Sequence, residues 1–300
     1  MQVFLQQLIN GLSVGAIYAL IAVGYTMVYG ILKLINFAHG EVFMIGAMVS
    51  VLVAGALGWT GGVALLFILV VAVLACVLLG LLIELAAYRP LRNQPRLTSL
   101  ITVIGVSLLL QFGGQGVFGP TDRVFPEVWP ALSQTLSPGG VTFSYVDLVV
   151  MGLTLAFMLG LTWVVLYTKI GLALRAVSYD FDTASLMGVN INRVISFTFV
   201  LGSALAAAGG LLYAIKYKTI NPLTGLMPGL KAFTAAVLGG IGNIAGAVLG
   251  GILLGLVEYM VIGYLPNGST YRDAVAFIIL IAILLVKPSG LLGKTAVEKV

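Results

Sequence analysis

Apolar residues run through this chain in long unbroken stretches separated by short polar breaks. The stretches fall at roughly 7–31, 38–57, 62–86, 99–118, 146–168, 194–215, 230–241, 244–264 and 272–287. Most approach the roughly 20 residues that a helix needs to cross a hydrocarbon core about 30 Å thick. The runs are continuous rather than alternating, which excludes a β-barrel. They predict an all-α, polytopic membrane protein with about eight or nine spanning helices. The run 230–241 is short for a crossing and reads either as a span or as a re-entrant segment.

Composition sharpens this picture. Of 300 residues, 60% are hydrophobic and 8% charged, against about 25% charged in ordinary globular chains. A soluble enzyme of this size would have almost nothing to cover its surface with, and the mean hydropathy of +1.14 agrees. The basic pI near 9.3 therefore does not indicate a nucleic-acid binder. The single cysteine, Cys76, and the single histidine, His39, offer neither an internal disulfide nor a metal cluster. No Lys or Arg occurs in the first 32 residues. The N-terminus thus lacks the basic region of a cleaved signal peptide and reads as the start of the first span.

The basic residues predict an orientation. Lys33, Arg89, Arg92, Arg96, Lys169, Arg175, Arg193, Lys287, Lys294 and Lys299 fall on one set of connections. Arg123, Lys216, Lys218, Lys231 and Arg272 fall on the other. The larger set belongs in the cytoplasm by the positive-inside rule. The N-terminus then faces outward and the C-terminus inward, which needs an odd number of crossings. Of the two long connections, 119–145 is rich in proline and reads as a loop lying against the membrane surface or the other spans.

The chain reads as one membrane domain, residues 1–300, with half-repeats at about 1–118 and 194–300. Lys33-Leu34-Ile35-Asn36 recurs as Lys218-Thr219-Ile220-Asn221, and each Asn is followed four residues later by Gly40 or Gly225. The predicted topology puts the two copies on opposite sides, as expected of an inverted-topology repeat. In such folds the substrate path runs between the halves, marked by broken or short helices. Asn36, His39, Gly40 and Glu41 in one copy, with Asn221, Pro222 and Gly225 in the other, are candidates for a pathway or gate. Equally, Asn36 and Glu41 suit a plain helix N-terminus, and the Pro/Gly-rich 221–229 suits a loop. Glu84 and Glu258 sit late in apolar runs. Either is a possible ion site, although Arg89 lies one turn from Glu84 and a helix–helix hydrogen bond suits Glu258.

Gly242, Gly246 and Gly250 form two small-xxx-small steps, which lets helix backbones approach closely in lipid. Gly293-Lys294-Thr295 looks like the end of a phosphate loop, but Pro288 stands where its first glycine is required. The chain is therefore expected to bind no nucleotide or other cofactor itself, and any ATP belongs to partner subunits.

The connection 169–193 has the start and stop chemistry of a short helix, with Asp180 or Asp182 as cap and Gly188 as terminator. Its Phe181, Ala184, Leu186 and Met187 are available to a partner groove, or the segment is an amphipathic linker on the membrane. Gly-Leu-Ala-Leu-Arg-Ala at 171–176, with Asp180, Ala184 and Gly188-Val189, resembles the ATPase-contacting loop of branched-chain amino acid ABC transporter permeases. Tyr25-Thr26-Met27-Val28-Tyr29-Gly30 and Ile35-Asn36-Phe37-Ala38-His39-Gly40-Glu41 resemble the high-affinity "H" type of that family, and Tyr88-Arg89-Pro90-Leu91-Arg92 fits as well. The resemblance covers nearly the whole chain. It implies a non-enzymatic inner-membrane importer subunit that works with a second related permease, two ABC ATPase subunits and a periplasmic amino-acid-binding protein. By the same resemblance Arg175, Ala176, Asp180, Ala184 and Gly188 form the ATPase-coupling loop. Permeases for urea and short-chain amides are close relatives. A proton-coupled secondary transporter using Glu258 or His39 is a further alternative.

Overall fold

The computed structural model describes residues 1–92, 94–137 and 140–293. Lys294, Thr295 and Lys299, like Pro138 and Gly139 of the long connection, lie outside the described residues. The helices are α1 (Gln2–Leu32), α2 (His39–Leu57), α3 (Gly62–Ile83), α4 (Arg89–Leu91), α5 (Arg96–Phe118), α6 (Tyr145–Tyr167), α7 (Lys169–Tyr179), α8 (Phe181–Leu186), α9 (Ile191–Tyr217), α10 (Leu226–Gly239), α11 (Ile244–Tyr264) and α12 (Gly268–Val286). A π-helical turn, Glu84–Tyr88, joins α3 to α4 in one continuous rod. Among the described residues, eight helices are long and apolar enough to cross a membrane. The protein is an all-α, multi-pass membrane protein.

The ninth expected crossing differs. The helix there, α10, has 14 residues, which rise about 21 Å at 1.5 Å per residue. That is well short of the hydrocarbon core. Pro222, Gly225 and Pro228 delay its start, because proline supplies no N–H and its ring crowds the preceding turn. The non-helical stretch before α10 carries the chain the remaining depth.

Burial sorts the helices into a centre and a periphery. The apolar windows of α1 and α9 are 89% and 72% buried, against 22% for both α5 and α6 and 6% for α12. A helix that is apolar on every face must be surrounded, and α1 is the clearest case. It lies antiparallel to α9, with Ser13 near Lys216 and Gly24 near Gly202. It also lies antiparallel to α11, with Gly11 near Gly255 and Gly15 near Ile252. The partners match between the halves: α1 packs on α11 as α9 packs on α3, and α1 packs on α10 as α9 packs on α2.

The small residues at these contacts are there for close approach. A Cβ on Gly251 would stand 2.5 Å from the Ala19 backbone nitrogen, and one on Gly255 would stand 2.5 Å from the Gly15 Cα. Gly246 and Gly250 pack instead against Gly239 and Ala235, closing the α10–α11 hairpin. Gly242 corrects the sequence reading. It lies in the turn before α11 with φ +95°, so it takes part in no helical small-xxx-small step.

The connection 119–145 is a clasp at the end of the bundle where α1 begins. Strand β1 (Arg123–Val124) pairs antiparallel with β4 (Thr219–Ile220), and β2 (Thr135–Leu136) pairs with β3 (Phe143–Ser144). Phe125 N–H donates to the Lys218 carbonyl at 2.7 Å, and Gly61 N–H donates to the Val128 carbonyl at 2.8 Å. Gln6 bonds to Thr142 in both directions, at 2.9 and 2.7 Å. Its buried Phe125, Val128 and Leu132 fill the space beneath. This end also holds the α2–α3 and α9–α10 connections, and the opposite end holds 33–38, α4, α7 and α8.

Candidate functional site

The two broken connections have the same local build. Helix α1 ends at Lys33 and α9 ends at Lys218, both in the left-handed region, with φ 53° and 63°. Each cap N–H reaches back four residues, to the Tyr29 and Ala214 carbonyls. The two are the lysines of the sequence repeat, and they lie at opposite ends of the bundle. From each, a non-helical stretch turns inward and starts a helix inside the protein: α2 at His39 and α10 at Leu226.

Those two helix starts meet. A Cβ on Gly40 would lie 2.9 Å from the Gly225 carbonyl oxygen, and a Cβ on Gly225 would lie 2.6 Å from the Gly40 carbonyl oxygen. Glycine is required at both positions because any side chain would strike the facing backbone. Helices α2 and α10 therefore cross at their first turns and run away from each other toward opposite ends. Their N-terminal dipole ends, each equivalent to roughly half a positive charge, face one common region within the bundle.

The expected pathway residues divide around this crossing. Gly40, Glu41 and Gly225 converge; the Glu41 Oε2 lies 2.9 Å from where a Gly225 Cβ would stand. Glu41 is buried, Oε2 has no hydrogen-bond partner, and Oε1 has only a long contact of 3.5 Å from the Ser107 hydroxyl on α5. Asn36 is buried with an unpartnered side-chain oxygen, while its backbone carbonyl accepts from His39 N–H. His39 turns away. Its ring packs edge-on to Tyr25 at 4.7 Å and wedges against Gly24 between α1 and α9. Asn221 faces the clasp: its amide donates to Asp122 at 2.8 Å and its oxygen accepts from Leu223 N–H at 2.9 Å. Pro222 lies against Gly114 of α5, beside the Met44 side chain.

Besides the Lys216–Asp147 pair between α9 and α6, two buried ion clusters tie helices together. Lys231 on α10 bonds Glu258 on α11 at 2.9 Å and Asp273 on α12 at 2.6 Å, and the Tyr18 hydroxyl donates to Glu258 at 3.0 Å. The helix–helix bond expected of Glu258 is thus made twice over. Near the other end, Arg92 rather than the expected Arg89 pairs with Glu84, beyond the π-helical turn. Ser196 of α9 donates to the same carboxylate at 2.9 Å. The first cluster was not visible as a motif, because Tyr18 and Glu258 are 240 residues apart, and in the second the Ser196 donor lies 112 residues from Glu84. Among the described residues, no three His, Cys, Asp or Glu side chains group to hold a metal ion.

The 169–193 connection folds as two short helices. Thr168 caps α7 through Gly171 N–H at 3.1 Å, and Asp180 caps α8 through Thr183 N–H at 2.6 Å. That donated N–H holds the Asp180 carboxyl below the usual carboxylate range. Helix α8 ends in a left-handed Gly188 at φ +82°, with Gly188 N–H donating to Ser185 and Val189 N–H to Ala184, a Schellman-type stop. Ala184 and Val177 face inward, whereas Tyr179, Leu186 and Met187 are 95%, 88% and 81% exposed. Arg175 is exposed, and Ala176 supplies the carbonyl that accepts from Asp180 N–H.

Residues 7–284 match the family described as branched-chain amino acid transport system / permease component. The chain belongs to that family. It is 44% identical to the high-affinity branched-chain amino acid transport system permease protein BraD of Pseudomonas aeruginosa, over 99% of this chain and 98% of that one. It is 45% identical to the corresponding permease protein LivH of Escherichia coli K12, again over 99% and 98%. The LivH protein of Salmonella typhimurium is 44% identical over the same shares. No solved structure matches the chain. A permease of this family explains why ordered polar groups lie within an otherwise apolar bundle.

Proposed function

We propose that this permease is a membrane-spanning subunit of an ATP-driven importer that carries branched-chain amino acids across a bacterial inner membrane. The full-length similarity to BraD and LivH supports the substrate class over urea or short-chain amides. The observation that carries the coupling reading is the α7–α8 pair: two capped helices that present Tyr179, Leu186 and Met187 outward next to a basic membrane edge. A solvent-facing apolar ridge on short rigid helices suits insertion into a groove of an ABC ATPase. The chain itself carries no ATP-binding site in this reading and takes no cofactor. Its partners are a second related permease, two ATPase subunits and a periplasmic amino-acid-binding protein.

The matching lysine caps, the paired helix contacts and the Gly40–Gly225 crossing support an inverted repeat with halves near 1–118 and 194–300. Asn36, Gly40, Glu41, Pro222 and Gly225 then border the path at the centre. ATP-driven movement of α7 and α8 tilts one half against the other, opening the crossing alternately to each side. The basic edge bearing α7 and α8 faces the cytoplasm, with the N-terminus outside.

Reconstitution tests this. Vesicles holding the full complex take up leucine only with ATP and the binding protein, and vesicles holding this chain alone take up none under a proton gradient. Replacing Leu186 and Met187 together by Asp abolishes ATP-driven uptake and ATPase co-purification. Proton-driven leucine uptake by the isolated chain would reject the reading.

A further inference from the structure

The described residues contain one buried acid that the protein leaves without a cation. Glu84 pairs with Arg92, Asp147 with Lys216, and Glu258 and Asp273 share Lys231. Glu41 is in no ion pair, although it is only 2% exposed, and its Oε2 has no donor at all. It sits where α2 and α10 cross, beside Gly225, and the first turn of α10 leaves the Gly225 and Met227 N–H groups without backbone acceptors. Desolvating a carboxylate is costly unless something charged completes it, and every other buried acid here is completed by the protein.

We propose that Glu41 is a subsite for the α-ammonium group of the transported amino acid as it passes the crossing. The free N–H groups at the start of α10 take its carboxylate, since a helix N-terminus is suited to an anion. Met44 and Pro222, both at the Gly114 face of α5, provide the apolar wall for an aliphatic side chain. The three features together recognise a zwitterion with an apolar tail. A neutral amide offers no charge to complement Glu41. This inference rests on the proposed function and assigns a substrate role to one residue within it.

The test uses the assembled complex in vesicles. Glu41→Gln keeps the shape of the side chain but loses its charge and turns one acceptor oxygen into an NH2 donor. With assembly and ATP turnover retained, leucine moved per ATP hydrolysed is expected to fall at least tenfold, and Glu41→Asp is expected to restore part of it. Uptake by Glu41→Gln within twofold of the unmodified complex overturns the subsite while leaving the importer reading intact. An unmodified complex that moves no leucine overturns the importer reading instead.

A second measurement does not depend on the Glu41→Gln chain folding. Ser107→Cys, 3.5 Å from Glu41, is labelled with a cationic thiol reagent during ATP turnover; native Cys76 is fully buried. Leucine-loaded binding protein is expected to slow labelling at least fivefold relative to the unloaded protein. Equal rates overturn the subsite.

Discussion

Lys231 is the buried one of two cations, the other being the exposed Arg272, that pair with both Glu258 and Asp273. It is 4% exposed and lies against both Glu258 and Asp273, with the Tyr18 hydroxyl also in reach. Removing one member of a buried ion cluster leaves the others uncompensated, which costs about 3–5 kcal/mol, whereas neutralising both sides of a pair costs far less. Lys231→Met is therefore expected to lower the denaturation midpoint of the purified chain strongly, and Lys231→Met with Glu258→Gln to recover more than half of the loss. Equal midpoints for the single and double variants would show that the charges are not coupled. The residues of this cluster were individually visible in the sequence, but nothing in their spacing joined them. Glu41 and Gly40 were legible because a polar run that opens an apolar stretch must be housed at a helix start or a cavity. His39 belonged to the same run, yet its side chain serves the α1–α9 contact, and only the helix phase after the break at Lys33 decides which residue points where.

At the scale of elements, the long apolar helices were legible from their length and continuity alone. The half-length α10 was not, because a run of 12 apolar residues fits a short span and a re-entrant helix equally. The π-helical turn at Glu84–Tyr88 also leaves no periodic signature. The α1–α11 contact had a signal that the glycine steps of α11 only half revealed: Gly11, Gly15 and Ala19 repeat every four residues on the facing helix. Gly251→Val puts a branched side chain where even a Cβ meets Ala19 backbone at 2.5 Å. Overpacking of this kind costs about 1–3 kcal/mol or more, so the variant is expected to melt earlier by light-scattering or fluorescence scans. Gly116→Ala on α5, where nothing lies within 4 Å, is expected to melt no earlier than the parent. The cap of α8 makes a pH-dependent element. Asp180 has its carboxyl held below the ordinary range, so the cap's contribution is present above the unfolded value and is lost as pH falls through the lower folded value. Hydrogen exchange of the Phe181–Leu186 amides should thus lose protection on acidification relative to Asp180→Asn, which cannot titrate. Parallel pH profiles in the two proteins would remove Asp180 from the cap.

For the whole molecule, sidedness is the property on which the proposed mechanism turns. Eight long helices alone would return the chain to the side on which it began, yet the contacts put the N-terminus and α12's C-terminal end at opposite ends of the bundle. The half-length α10 resolves this, because the non-helical 218–225 stretch and α10 together make one passage. The two ends also differ in charge as the sequence indicated, with α4, α7 and α8 at the end richer in Lys and Arg. In the proposed orientation, which follows the positive-inside bias, that end faces the cytoplasm and the clasp faces outside. Val124 in the clasp is 70% exposed and Leu186 on α8 is 88% exposed, so each is open to a cysteine reagent. In intact cells a membrane-impermeant maleimide is expected to label Val124→Cys and spare Leu186→Cys. In inverted vesicles the pattern is expected to reverse, with native Cys76 silent in both because it is buried among α2, α3 and α9. Labelling of both positions from one side would mean that α6, the long helix between them in the chain, does not cross, and the reverse of the expected pattern would put α7 and α8 on the wrong face to meet an ATPase.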